Sequence, residues 1–150
     1  MKNYLFAFVV FTLVFFSCEN NDFCSEATTP RLILRFYDNS EPEKLKKVPI
    51  YIWAKNKDTI YNLKTVDSIL IPLNTKSNST VYKLSTSNTI DTIALNYLIE
   101  DVFVSKPCGY KSNFKNLSHN NNYSKNWIKK IDVNNANIND ETAAHIKIYH

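Results

Sequence analysis

The chain has 150 residues, enough for one domain with a substantial core and too few for two. It contains a single glycine, Gly109, which excludes loops that cradle phosphates or dinucleotides, because those need several close backbone approaches. The formal charge of +4 is spread over many separated lysines instead of one basic stripe, which argues against nucleic acid as a partner.

Lys2 followed by the nearly unbroken apolar run Tyr4 to Phe16 has the charged start and hydrophobic centre of a secretory signal, and it is too short to span a bilayer comfortably as a permanent helix. The run closes on Val14-Phe15-Phe16-Ser17-Cys18 and gives way to the polar stretch Glu19 to Asp22, as at the junction of a bacterial lipoprotein. Phe15 and Phe16 stand where such junctions more often carry leucine and a small residue. The expected organisation is therefore a signal peptide over residues 1–17, a lipidated Cys18 opening a short tether to Pro30, and one β domain over residues 31–150.

Arg31 to Tyr37 alternates, with Leu32, Leu34 and Phe36 on one face and Arg31 and Arg35 on the other, the period of a half-buried strand. Asp38 to Lys47, charged and interrupted by Pro42, reads as an exposed loop. Val48 to Ala54 alternates again, and Pro49 near its start suits a strand entry or an edge. Short runs rich in β-branched and aromatic residues follow at Thr59 to Leu63, Ser68 to Leu73, Thr80 to Leu84, Thr89 to Tyr97, Asp101 to Ser105 and Tyr110 to Phe114. Lys115 to Asn126 reads as an Asn-rich mobile loop with nothing to bury, and Trp127 to Val133 and Ala144 to Tyr149 close the chain. No stretch has a helical period. The expectation is about nine short strands in an all-β, antiparallel β-sandwich, immunoglobulin-like or transthyretin-like in general architecture.

Three cysteines leave one unpaired unless Cys18 carries lipid, in which case Cys24 and Cys108 form an even pair that can bridge in an oxidising compartment. The competing reading is two buried free thiols; a metal reading has no His or Cys at ligand spacing to support it. A lipidated Cys18 and a bridged Cys24 together leave six residue steps between membrane and domain, at most about 20 Å of extended chain.

Candidates for chemistry are thin. His119, His145 and His150 belong to no Ser-His-Asp, HExxH or HxH arrangement and read as solvated surface histidines. Asp91, Glu100 and Asp101 surround one expected hairpin; turn chemistry accounts for them more simply than a bound cation. Tyr51 and Trp53 share a side of their strand opposite Ile50 and Ile52, and Tyr37 similarly opposes Phe36, so these three aromatics form a possible binding surface if they are not covered. Lys111, Lys115, Lys125, Lys129 and Lys130 flank the Asn-rich loop and read as a solvated basic face, or as contacts to lipid phosphates.

Cys24 with Thr28-Thr-Pro-Arg-Leu-Ile-Leu-Arg-Phe-Tyr-Asp38, Pro72-Leu-Asn-Thr-Lys-Ser-Asn-Ser-Thr80 and Val102-Phe-Val-Ser-Lys-Pro-Cys-Gly-Tyr110, in that order, resemble the DUF6452 family, small lipoproteins of Bacteroidota. The resemblance implies a signal-bearing, lipid-anchored domain and implies no activity. The expected protein is a non-enzymatic accessory or binding module with no cofactor and no metal, held at the cell envelope, most simply the outer membrane, beside an envelope protein partner. A carbohydrate- or peptide-binding domain and a hydrolase with an unfamiliar site are the alternatives. The side of the membrane is open, since Glu19 and Asp22 only partly match the acidic signals of surface-exposed lipoproteins.

Overall fold

A computed structural model describes residues 23–25, 28–55, 57–121 and 123–150; the expected signal peptide and Cys18 lie outside the described residues. Among the described residues there are nine strands and no helix: β1 (Leu32–Tyr37), β2 (Val48–Ala54), β3 (Thr59–Val66), β4 (Ser68–Ile71), β5 (Ser79–Thr86), β6 (Thr89–Ser105), β7 (Gly109–His119), β8 (Lys130–Val133) and β9 (Ile146–Tyr149). They form two sheets, ordered β4-β1-β9-β8 and β3-β2-β5-β6-β7. The fold is the expected all-β sandwich, with one departure from antiparallel order: β1 and β9 run parallel, Leu34 beside Ile146 and Tyr37 beside Tyr149.

Alternation decides which side chains meet between the sheets. One sheet contributes Leu32, Leu34, Phe36, Ile69, Ile71, Ile146 and Ile148, and the other Ile50, Ile52, Tyr82, Leu84, Ile93 and Leu95, all buried in one core. The period fails where β7 passes Asn116. Leu95 and Asn96 pair with His119 and Ser118, whereas Leu98 pairs with Lys115, so β7 carries one extra residue there. Asn116 takes a φ of 54°, a left-handed conformation that asparagine tolerates better than most residues. The bulge resets the alternation, and both Phe114 and Leu117 face inward.

This corrects the reading of residues 115–126 as a mobile loop with nothing to bury. Lys115 to His119 are strand, Leu117 is 4% exposed, and Tyr123 packs against the core. The single buried leucine in a polar run has no visible period in the sequence because the bulge shifts it out of phase. Thr89 to Tyr97 and Asp101 to Ser105 are likewise one strand of 17 residues. Glu100 and Asp101 sit mid-ladder instead of at a turn: Glu100 pairs with Lys115 at 2.6 Å, and Asp101 accepts the Ser112 hydroxyl at 2.6 Å.

The two edges of the five-stranded sheet are covered or broken. On the free side of β7, Phe114 and Ile138 exchange backbone hydrogen bonds of 3.1 and 2.7 Å, and Leu117 N–H donates to Ala136 C=O at 2.8 Å, so the β8–β9 connection shields that edge. On β3, register shifts against β2 and a φ of 46° at Leu63 interrupt the edge. Tyr61 of β3 also crosses to the other sheet, its hydroxyl accepting the Leu70 N–H at 3.1 Å.

The crossing between sheets is held by a buried carboxylate. Asp91, fully buried at the start of β6, accepts the N–H of Asn126 on Oδ1 at 2.9 Å and those of Trp127 and Ile128 on Oδ2 at 2.9 and 2.8 Å. Trp127 completes the joint by donating its indole N–H to Leu84 C=O at 3.1 Å. Asp91→Ala leaves two buried N–H groups and one part-buried one without their acceptor, and loss of charge-assisted bonds of this kind is expected to cost about 3 kcal/mol or more. Denaturant unfolding of the variant measures it; an unchanged midpoint would show that the clamp is dispensable.

Candidate functional site

The two ends of the sandwich differ because β6 outruns its neighbour. β5 pairs with β6 from Thr86 beside Thr89 to Ser79 beside Asn96, and beyond that point β6 continues with β7 alone to Ser105. The hairpin therefore projects past the other strands. Its turn carries Cys108 and Gly109; Gly109 takes a φ of 69°, which its missing side chain permits.

Cys108 is bonded to Cys24, with the two Cα atoms 4.8 Å apart across a sequence separation of 84. The expected pairing is present. In the chain-entropy account a loop of that size stabilises by about 4 to 5 kcal/mol, an upper figure. The N-terminal segment then runs along the hairpin, where Thr29 Oγ1 accepts the Ser112 N–H at 3.0 Å. Arg31 next grips Glu141 through Nε and Nη2 at 2.9 and 2.7 Å, and its hydrogen bond holds the Glu141 carboxyl down to about 2. Because the pair is partly exposed, its contribution to stability is modest.

At the same end a groove of about 760 Å³ opens between the β2–β3 turn and the β4–β5 connection, with Ala54, Ile60, Leu73 and Val81 in its walls and Lys55, Lys57 and Lys76 among its lining residues. Its wall is tied by hydroxyls. Tyr82 donates to Pro72 C=O, Tyr97 donates to Asn74 C=O at 2.9 Å, and Thr80 Oγ1 accepts the Asn74 N–H at 3.0 Å. Burial raises the pKa of both tyrosines, so they stay neutral donors. The groove was not legible in the sequence, because its lining comes from segments separated along the chain.

The proposed aromatic surface divides. Tyr51 and Trp53 stand half-buried on the outward side of β2, opposite Ile50 and Ile52 as expected. Tyr37 belongs to the other sheet, buried against Tyr149 at 5.7 Å with Lys147 over its ring, so it joins no common surface with them. The five lysines do not form one face either. Lys111 lies near the hairpin turn, Lys115 pairs with Glu100 and Lys125 lies over the Tyr123 ring, whereas Lys129 and Lys130 lie close to Asp91, at the opposite end from the turn of a strand roughly 50 Å long.

His145 corrects the expectation of solvated histidines. It is 1% exposed, its Nδ1 accepts the Ile33 N–H at 3.0 Å, and its own N–H donates to Ile33 C=O at 3.0 Å. His150 packs edge-on to Trp127 at 5.6 Å, and His119 edge-on to Tyr123 at 5.6 Å. Among the described residues, no three His, Cys, Asp or Glu side chains gather as metal ligands would.

Fold and site together define a two-sheet β-sandwich whose longest hairpin is covalently tied to its own N-terminal segment. Within that class the chain belongs to the family of unknown function DUF6452, which it matches over residues 49–150. That span includes the Pro72–Thr80 wall of the groove and the Val102–Tyr110 hairpin end, and excludes Cys24 and β1. No curated protein and no solved structure matches the chain.

Burial lowers the pKa of His145, with Asp140 and Glu141 opposing the shift, and burial lowers that of His150 as well. A proton on Nδ1 of His145 would face the Ile33 N–H, so the fold holds the neutral form. Stability from a histidine depressed in this way is present above the ordinary value of about 6.5 and declines as pH falls below it. Denaturant midpoints at successive pH values below neutrality should fall in the wild type and fall less in His145→Gln; equal declines would assign the effect to other groups.

Proposed function

We propose that this is a lipid-anchored protein of the bacterial cell envelope, attached through Cys18, most simply to the outer membrane, and serving as a non-enzymatic accessory or binding module for another envelope protein. The observation that carries the reading is the Cys24–Cys108 bond. A disulfide fits an oxidising compartment, and it accounts for two of three cysteines while leaving Cys18, at the end of an apolar run, as the lipid acceptor. The groove beside the bonded hairpin supplies a recess in which a partner segment fits.

Growth with an alkyne fatty acid should label the wild type and leave Cys18→Ser unlabelled and released from membranes. Crosslinking of the labelled protein in native membranes should recover one stoichiometric envelope partner. A wild type without label removes the anchor, and a labelled protein without a partner removes the accessory role.

A second reading is favoured by the half-exposed pair Tyr51 and Trp53 on the outward sheet face. Adjacent aromatics of this kind suit stacking on a sugar ring or an extended peptide. Binding on a glycan or peptide array that is reduced at least tenfold in Trp53→Ala would support it, and a variant binding as the wild type does would exclude that face.

A further inference from the structure

We propose that the end of the β6–β7 hairpin is a second membrane contact, in which Phe23, Phe103 and Tyr110 enter the boundary between lipid headgroups and acyl chains while Lys106 and Lys111 meet lipid phosphates. The proposal rests on the reading of Cys18 as the lipid anchor.

Three large apolar side chains crowd this end and stand open. Phe23 is 90% exposed, Phe103 55% and Tyr110 71%. Phe103 and Tyr110 are register partners on neighbouring strands, with their rings edge to face at 5.4 Å. They lie on the side of the sheet that Ile99 and Phe114 turn toward the core, so the hairpin carries the core-facing side beyond the reach of the opposing sheet. Phe23 precedes Cys24, which the disulfide holds at the turn between them.

Chemistry and tether select a lipid surface as the occupant. Aromatic rings, tyrosine in particular with its apolar body and polar tip, favour the membrane–water interface. Between Val102 and Lys111 the chain has two lysines and no carboxylate. Among the described residues neither lysine is in a salt bridge, which leaves both to meet anionic headgroups. The six steps from Cys18 to Cys24 reach at most about 20 Å. Since Cys24 is bonded to the turn itself, an acylated Cys18 keeps this end beside the bilayer.

The test uses the full chain, purified from membranes and reconstituted in vesicles of phosphatidylcholine and phosphatidylglycerol that contain a brominated lipid. The indole introduced by Tyr110→Trp, and separately by Phe103→Trp, should lose emission to bromine relative to the wild-type signal of Trp53 and Trp127, and lose less when Lys106 and Lys111 are both replaced by glutamate. Mass spectrometry of the same preparation reports acylation of Cys18. Acylated protein with unquenched indoles overturns the hairpin contact and leaves the anchor standing, whereas absent acylation overturns both. Indoles unquenched in lipid vesicles yet shielded from acrylamide in native membranes would mean that a protein covers the hairpin, and this also overturns the proposal.

Discussion

A carboxylate buried in a protein core needs partners, and Asp91 finds three in consecutive backbone N–H groups of Asn126, Trp127 and Ile128. Those residues are where the chain leaves the five-stranded sheet for the four-stranded one. The clamp thereby sets where β8 begins, β8 pairs with β9, and β9 lies beside β1. Packing gathers around the joint: Trp127 contacts Phe36 at 6.3 Å and donates to Leu84, so one polar contact carries a local piece of both sheets. Replacing water around a charged group with fixed dipoles makes the position exacting, because a carboxylate there without its N–H donors would be uncompensated.

The other end is organised by a covalent bond. β6 and β7 run beyond the sandwich with no opposing sheet to bury their inward side, and a free hairpin of two strands is marginally stable in water. The Cys24–Cys108 bond and the Thr29–Ser112 hydrogen bond give it a third segment to lean on. The consequence is a polarised molecule. Its clamped end is held by the Asp91 hydrogen bonds, while its bonded end combines a groove, open aromatic side chains and the route to the N-terminus. A binding role is better served by the second end, since exposed apolar surface on a covalently constrained backbone binds at a smaller ordering cost.

Much of the strand pattern could be read from the residues because a β-sandwich writes its core as period-two alternation. Leu32-Leu34-Phe36 and Ile50-Ile52 show this directly, and Pro49 indeed enters β2 before pairing with β5 begins at Tyr51. Reading failed where a local irregularity changed the phase. Asn116 inserts a residue and hides Leu117 in a run of asparagines, and the acidic pair Glu100–Asp101 resembles a turn although cross-strand partners hold it within one long strand. The surface of Tyr37, Tyr51 and Trp53 failed for a different reason: each residue's facing was right, but strands read singly carry no information about which sheet they join.

By itself, the sequence determined the class of fold and most of the strand-forming segments, because hydrophobic periodicity is a local property, and it made Cys24 and Cys108 the expected pair on the reading of Cys18 as lipidated. Tertiary structure decided everything that depends on register and on sheet membership. Asp91 became a clamp and His145 a buried acceptor only when residues some 35 and 112 positions away supplied the N–H groups they accept. The open hairpin likewise arises because β6 is longer than the strand beside it, a difference in pairing length that no single segment expresses.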